Sequence, residues 1–170
     1  MAVLGSCRAP EPLPTTLSPP VALVAQNPWA AADQVAAKVP RSLIVVGHGG
    51  SMEPLYPEGT VLVLQYLRWE DLRAGMTTIY SQDPQDPFHL VAHVLLKRDD
   101  DQWEAEGLAN SAPDKVRVKA DNYIGTAVAA FRQVRPASAA DLIRAMPSDR
   151  AATCLLRCHV DASPGGKPAR

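Results

Sequence analysis

The pattern of apolar and polar positions changes twice along the chain. Residues 1–40 carry no strand period, and Ala9–Pro20 reads APEPLPTTLSPP. Its prolines favour extended chain without regular hydrogen bonds. Asn27-Pro28 followed by WAAADQVAAK predicts a short helix, with asparagine as the cap, proline in the first turn and Pro40 as the stop. From Arg41 to Phe131, short β-branched and apolar runs are separated by Gly, Pro and Asp. They predict strands at 42–46, 60–67, 77–81, 88–97, 102–106, 115–118 and 123–131. Arg98–Gln102 reads as a polar hairpin turn. After Pro136 the period turns helical. Ser138-Ala-Ala-Asp141 resembles a capping box, and Ser148 could cap a second helix running through Cys154 and Cys158. The Gly/Pro/Lys-rich stretch 163–170 reads as disordered. The chain thus divides into a proline-rich tail with a short helix (1–40), a β domain (41–131) and a helical extension (132–170). The expected fold is mainly β: a curled antiparallel domain with short helices at both ends.

Charge and composition remove several function classes. Seventeen basic against eighteen acidic side chains leave a net charge of −1, and no Lys/Arg stripe is present. That balance argues against nucleic acid as a partner, because such affinity comes largely from phosphate neutralisation. Aromatics at 5% are too sparse for a base-stacking platform. No apolar run approaches the ~20 residues that span a bilayer. Three cysteines have the wrong parity for a disulfide framework. Cys154-Leu-Leu-Arg-Cys158-His159 is one residue longer than the haem-attachment spacing, and no fourth metal ligand accompanies it. The expectation is therefore no metal and no cofactor.

Chemistry concentrates in Val46-Gly-His-Gly-Gly-Ser-Met-Glu-Pro54. Gly49 and Gly50 let the backbone take positive φ and approach a substrate closely, while Pro54 and Pro57 stiffen the turn around Ser51. A serine so held can act as a nucleophile beside backbone N–H groups that bind an oxyanion. The same residues also read as a plain glycine loop. For a base, strand alternation places Leu90, Ala92, Val94 and Leu96 on one face, and His89, Val91, His93, Leu95 and Lys97 on the other. His93 then opens onto a cleft, with His89 as a backup. Lys97 lies four residues on, roughly 13 Å at ~3.3 Å per residue, too far to share one nucleophile with His93. Asp114, at a loop–strand junction, could orient the imidazole or simply close a turn.

Taken in order, these boxes resemble type I signal peptidases and their LexA-like relatives. Gly49-Gly-Ser51-Met52-Glu53-Pro54 is similar to the nucleophile box, Pro57-Glu-Gly59-Thr60 to the Pro-x-Gly turn after it, and Trp69–Gly75 to the linker before the next strand. Leu90-Val-Ala-His93-Val falls where the general base lies, a histidine in the archaeal and endoplasmic-reticulum branch. Gly107-Leu-Ala-Asn110 followed by Asp114 resembles that branch's aspartate box, and Asn122–Val128 its closing strand. The likeness covers about residues 42–131. It implies a serine endopeptidase with catalytic Ser51, His93 and Asp114, a substrate and oxyanion site at Gly49, Gly50 and Met52, and an extended peptide substrate with small residues before the scissile bond.

Three departures qualify what the resemblance implies. Leu108 stands where the branch has an earlier aspartate, and Gly49 where many members have an oxyanion-binding serine. The transmembrane helix that precedes the nucleophile box in family signal peptidases has no counterpart here. These favour an alternative, a catalytically degenerate peptide-binding domain on the same fold. A self-cleaving regulator ranks behind both, since residues 1–40 hold too little helix for a helix-turn-helix. Leu4-Gly-Ser-Cys7 looks like the end of a lipoprotein signal, although no basic and apolar leader precedes it. With an upstream start, lipidation of Cys7 would tether the tail to a membrane and place the domain outside the cytoplasm. The sequence is silent on oligomeric state.

Overall fold

The computed structural model describes residues 18–83, 85–86 and 89–133. The C-terminal extension with its two predicted helices, Cys154, Cys158 and His159 lies outside the described residues, as does Cys7. Seven strands form one sheet: β1 (Ala22–Val24), β2 (Ser42–Val46), β3 (Val61–Gln65), β4 (Thr77–Ser81), β5 (Leu90–Asp99), β6 (Gln102–Glu106) and β7 (Tyr123–Arg132). One α-helix, α1 (Pro28–Ala36), and a 3-10 turn at Trp69–Asp71 complete the regular structure of the described residues.

The order across the sheet is β2-β3-β7-β4-β5-β6, with every neighbouring pair antiparallel. β1 lies parallel to the end of β7, Ala22 opposite Ala130. The fold is mainly β, as the apolar pattern predicts. The expected curling is corrected: the sheet is neither strongly curled nor closed, because β2 and β6 end the order without pairing to each other. The predicted strand at 115–118 is reduced to one bridge, Trp103 with Val118. β1 was not expected at all, since three residues are too short to display a period.

α1 starts as expected. Asn27 Oδ1 accepts the N–H of Ala30 at 3.1 Å, and Pro28 occupies the first turn, where its missing N–H is no loss. The helix buries Trp29 and Ala32 against Ile44, Val46, Val61, Val63 and Phe131. The short helix of the 1–40 segment thus packs on the sheet, and β1 adds a strand to it. A second cluster joins Ala22, Met52, Tyr56, Leu62, Leu64, Ile79, Ala92 and Val94. A third joins Tyr80, Val91, Leu95, Trp103, Ala105, Val118 and Tyr123.

β5 is thus covered on both faces: Ala92 and Val94 enter one cluster, Val91 and Leu95 another. The expected apolar stripe ends early, because the register slips between Leu95 and Lys97 and leaves Leu96 exposed. A bulge of this kind turns the following side chains out of the pleat. His93 is not on a solvent face either. It is 3% exposed, opposite Thr78 of β4.

Candidate active site

β2 delivers the chain into the glycine loop, and Gly47 anchors its start. Its N–H donates to Thr60 O at 2.8 Å, while Gly59 N–H returns to Gly47 O at 2.9 Å. Gly49 has φ 94°, a conformation in which a Cβ would collide with the backbone. Gly50 does not share that requirement. A Cβ there would meet only the Glu53 side chain at ordinary contact distance. The turn after Ser51 is closed by Glu53 N–H to Gly50 O and Tyr56 N–H to Met52 O. The Met52 side chain is buried in the core cluster with Tyr56 and Leu62 and so holds the box down from beneath.

β5 and the segment after β6 supply the other two groups. His93 Nε2 lies 3.0 Å from Ser51 Oγ, and His93 Nδ1 lies 2.5 Å from Asp114 Oδ2. The three come together although no two are closer than 21 positions in sequence. Ser51 is 7% exposed, and the side chains of His93 and Asp114 are 4% and 7% exposed. As a carboxylate, Asp114 can only accept, so Nδ1 carries the hydrogen and Nε2 presents its lone pair to the serine hydroxyl. Lys97 takes no part: it is exposed and lies 3.7 Å from Glu104.

The segment 107–114 is what joins β6 to the nucleophile. Ala109 N–H donates to Ser51 O at 2.9 Å, and Asp114 N–H donates to Ala105 O at 2.8 Å. Gly107 sits in the gap between them. A Cβ there would lie 2.7 Å from Ser51 O and 2.9 Å from His93 Nε2. Leu108, the next residue, is 47% exposed.

Two features of the site escape sequence reading. Gly107 is legible as part of the box before Asp114, but its close packing against Ser51 and His93 is not. Tyr80 of β4 donates its hydroxyl to the same Asp114 Oδ2 that His93 uses. Burial, then the nearby Asp114 charge, raises the Tyr80 phenol, which keeps it a donor. Its only sequence signal is an aromatic residue in a buried strand, which normally reads as core.

Beside Ser51 lies a pocket of about 20 Å³, walled by Gly49, Met52, Tyr56, Leu62 and Ala92. That is room for about one water or one methyl group. Among the described residues, the N–H groups of Gly49, Gly50, Ser51 and Met52 make no backbone hydrogen bond. β6 pairs with β5 only from Val94 onward, so residues 90–93 have no strand partner on that side among the described residues. Among the described residues, no group of three or more His, Cys, Asp or Glu is placed to hold a metal ion. No helix among them is long and apolar enough to cross a membrane. Comparison of the chain with protein-family models, with curated proteins and with solved structures finds no match.

Proposed function

We propose that this chain is a serine endopeptidase of the signal-peptidase and LexA-like type, acting through Ser51, His93 and Asp114. The observation that carries the reading is the approach of His93 Nε2 to 3.0 Å from Ser51 Oγ, with Nδ1 against Asp114. This is the mutual arrangement of nucleophile, base and orienting acid that acyl transfer needs.

In the proposed reaction His93 accepts the serine proton as Oγ bonds to the scissile carbonyl carbon. Asp114 holds the ring and stabilises the imidazolium that results. The carbonyl oxygen becomes an oxyanion facing the N–H groups of Gly49 and Gly50, which make no backbone hydrogen bond among the described residues. His93 then gives its proton to the leaving amine, and the C–N bond breaks to leave an acyl ester on Ser51. Water, deprotonated by the same ring, hydrolyses that ester and restores the serine. The pocket of about 20 Å³ supports alanine-sized side chains before the scissile bond. The edge of residues 90–93, unpaired among the described residues, supports an extended substrate bound by strand addition.

Leu108 and Gly49 are the departures within the site that favour the alternative, a catalytically degenerate peptide-binding domain. The test is incubation with an Ala-x-Ala peptide library, read by mass spectrometry. The protein should yield cleaved products, and Ser51→Ala and His93→Ala should yield none while keeping the circular dichroism spectrum. Binding without products would leave the peptide-binding reading in its place.

A further inference from the structure

We infer that Tyr80 is a positioning residue for this site, its hydroxyl fixing the Asp114 carboxylate and tempering that carboxylate's hold on His93. The inference rests on the proposed peptidase reading and assigns a role to a residue outside the three. Asp114 belongs to no strand, and among the described residues its backbone bonds only to Ala105. Its side chain could rotate about χ1 and χ2 unless something caught it. Tyr80 is that catch. It is 0% exposed, packed among Val91, Leu95 and Trp103, and therefore rigid. β4–β5 register sets Tyr80 opposite Val91 and Thr78 opposite His93, so the phenol stands diagonally beside the imidazole on one face.

Both donors use one oxygen, Oδ2. Electron density given to the phenol proton is withdrawn from the imidazole proton, since two charge-assisted bonds to one atom compete. Without the hydroxyl, Oδ2 should accept more strongly from His93 Nδ1–H, while the carboxylate loses its second anchor. The first effect is spectroscopic and the second kinetic.

The experiment uses the full chain carrying Tyr80→Phe, which keeps the ring. The downfield proton resonance of His93 Nδ1–H, identified by its loss in His93→Ala, should move further downfield in the variant. In the peptide assay kcat should fall about tenfold, the loss expected for one hydrogen bond to a charged group, with KM unchanged. Replacement of Tyr80 by 3-fluorotyrosine, a stronger donor of nearly the same shape, should move the resonance upfield and does not depend on Tyr80→Phe folding. An unmoved resonance in either protein, or an unchanged kcat in Tyr80→Phe, overturns the inference. If the unmodified protein cleaves no peptide, the peptidase reading falls, and the resonance alone decides the coupling of Tyr80 to His93.

Discussion

Gly107 lies so close to His93 that a methyl group at residue 107 would come within 2.9 Å of Nε2. The same methyl would sit 2.7 Å from Ser51 O. Neither neighbour can yield without opening the serine–histidine contact. Gly107→Ala should therefore cost about 1–3 kcal/mol of stability, as other overpacked positions do, and suppress cleavage beyond what the stability loss explains. Urea titration and the peptide assay on one preparation check both parts. Wild-type turnover in Gly107→Ala would show that the close approach is immaterial.

The two glycines before Ser51 should behave differently. Gly49→Ala forces an L-residue to φ 94° and should lower stability by about 1–2 kcal/mol. Gly50→Ala meets only ordinary contacts with Glu53 and should fold like the parent. Thermal melts of the two variants side by side give the comparison, and equal melting temperatures would refute it.

Thr78 carries a buried hydroxyl with no hydrogen-bond partner among the described residues. A buried polar atom left unsatisfied costs about 1–3 kcal/mol, so replacement by an isosteric methyl should be favourable. Thr78→Val is expected to raise the urea midpoint and keep peptide cleavage. A lower midpoint would show that the hydroxyl is bonded in solution.

Alkaline pH should unfold the domain. Burial pushes the Tyr56 phenol up to about 12, and burial also raises Tyr80 and Tyr123. An unfolded tyrosine ionises near 10, so above that pH the unfolded chain releases protons that the native state retains. Stability is complete below pH 10 and falls as pH rises through the native value. The loss is about 1.4 kcal/mol per pH unit for each such tyrosine. Urea midpoints at pH 9 and pH 11, with tyrosinate absorbance followed in parallel, measure it. Equal midpoints would mean that these phenols are open to water.

Much of this structure was legible because local signals and packing agree. Ser42–Val46, Thr77–Ser81 and Gln102–Glu106 are bounded in the structure where their alternation and flanking turn residues bound them. Ser51, His93 and Asp114 were legible because ordered motifs flank each of them. What failed depended on distant partners. Val24 is paired because Arg132 lies beside it, and nothing in Ala22–Val24 announces that. Lys115–Val118 has strand composition but only Trp103 to pair with. His93 was assigned to an open face because alternation tells which side chains share a side, not what covers that side.

β7 comes last of the seven strands in the chain yet lies between β3 and β4. A chain leaving the ribosome therefore presents β2–β3 and β4–β5–β6 as two separate ribbons, with the edges of β3 and β4 bare until Tyr123–Arg132 emerges. Only that late arrival welds them and fixes the strand that carries Tyr80 and backs His93. Pairings so distant along the chain form slowly. Any hydrolytic power would thus be withheld during synthesis and switched on by the final zip of the sheet.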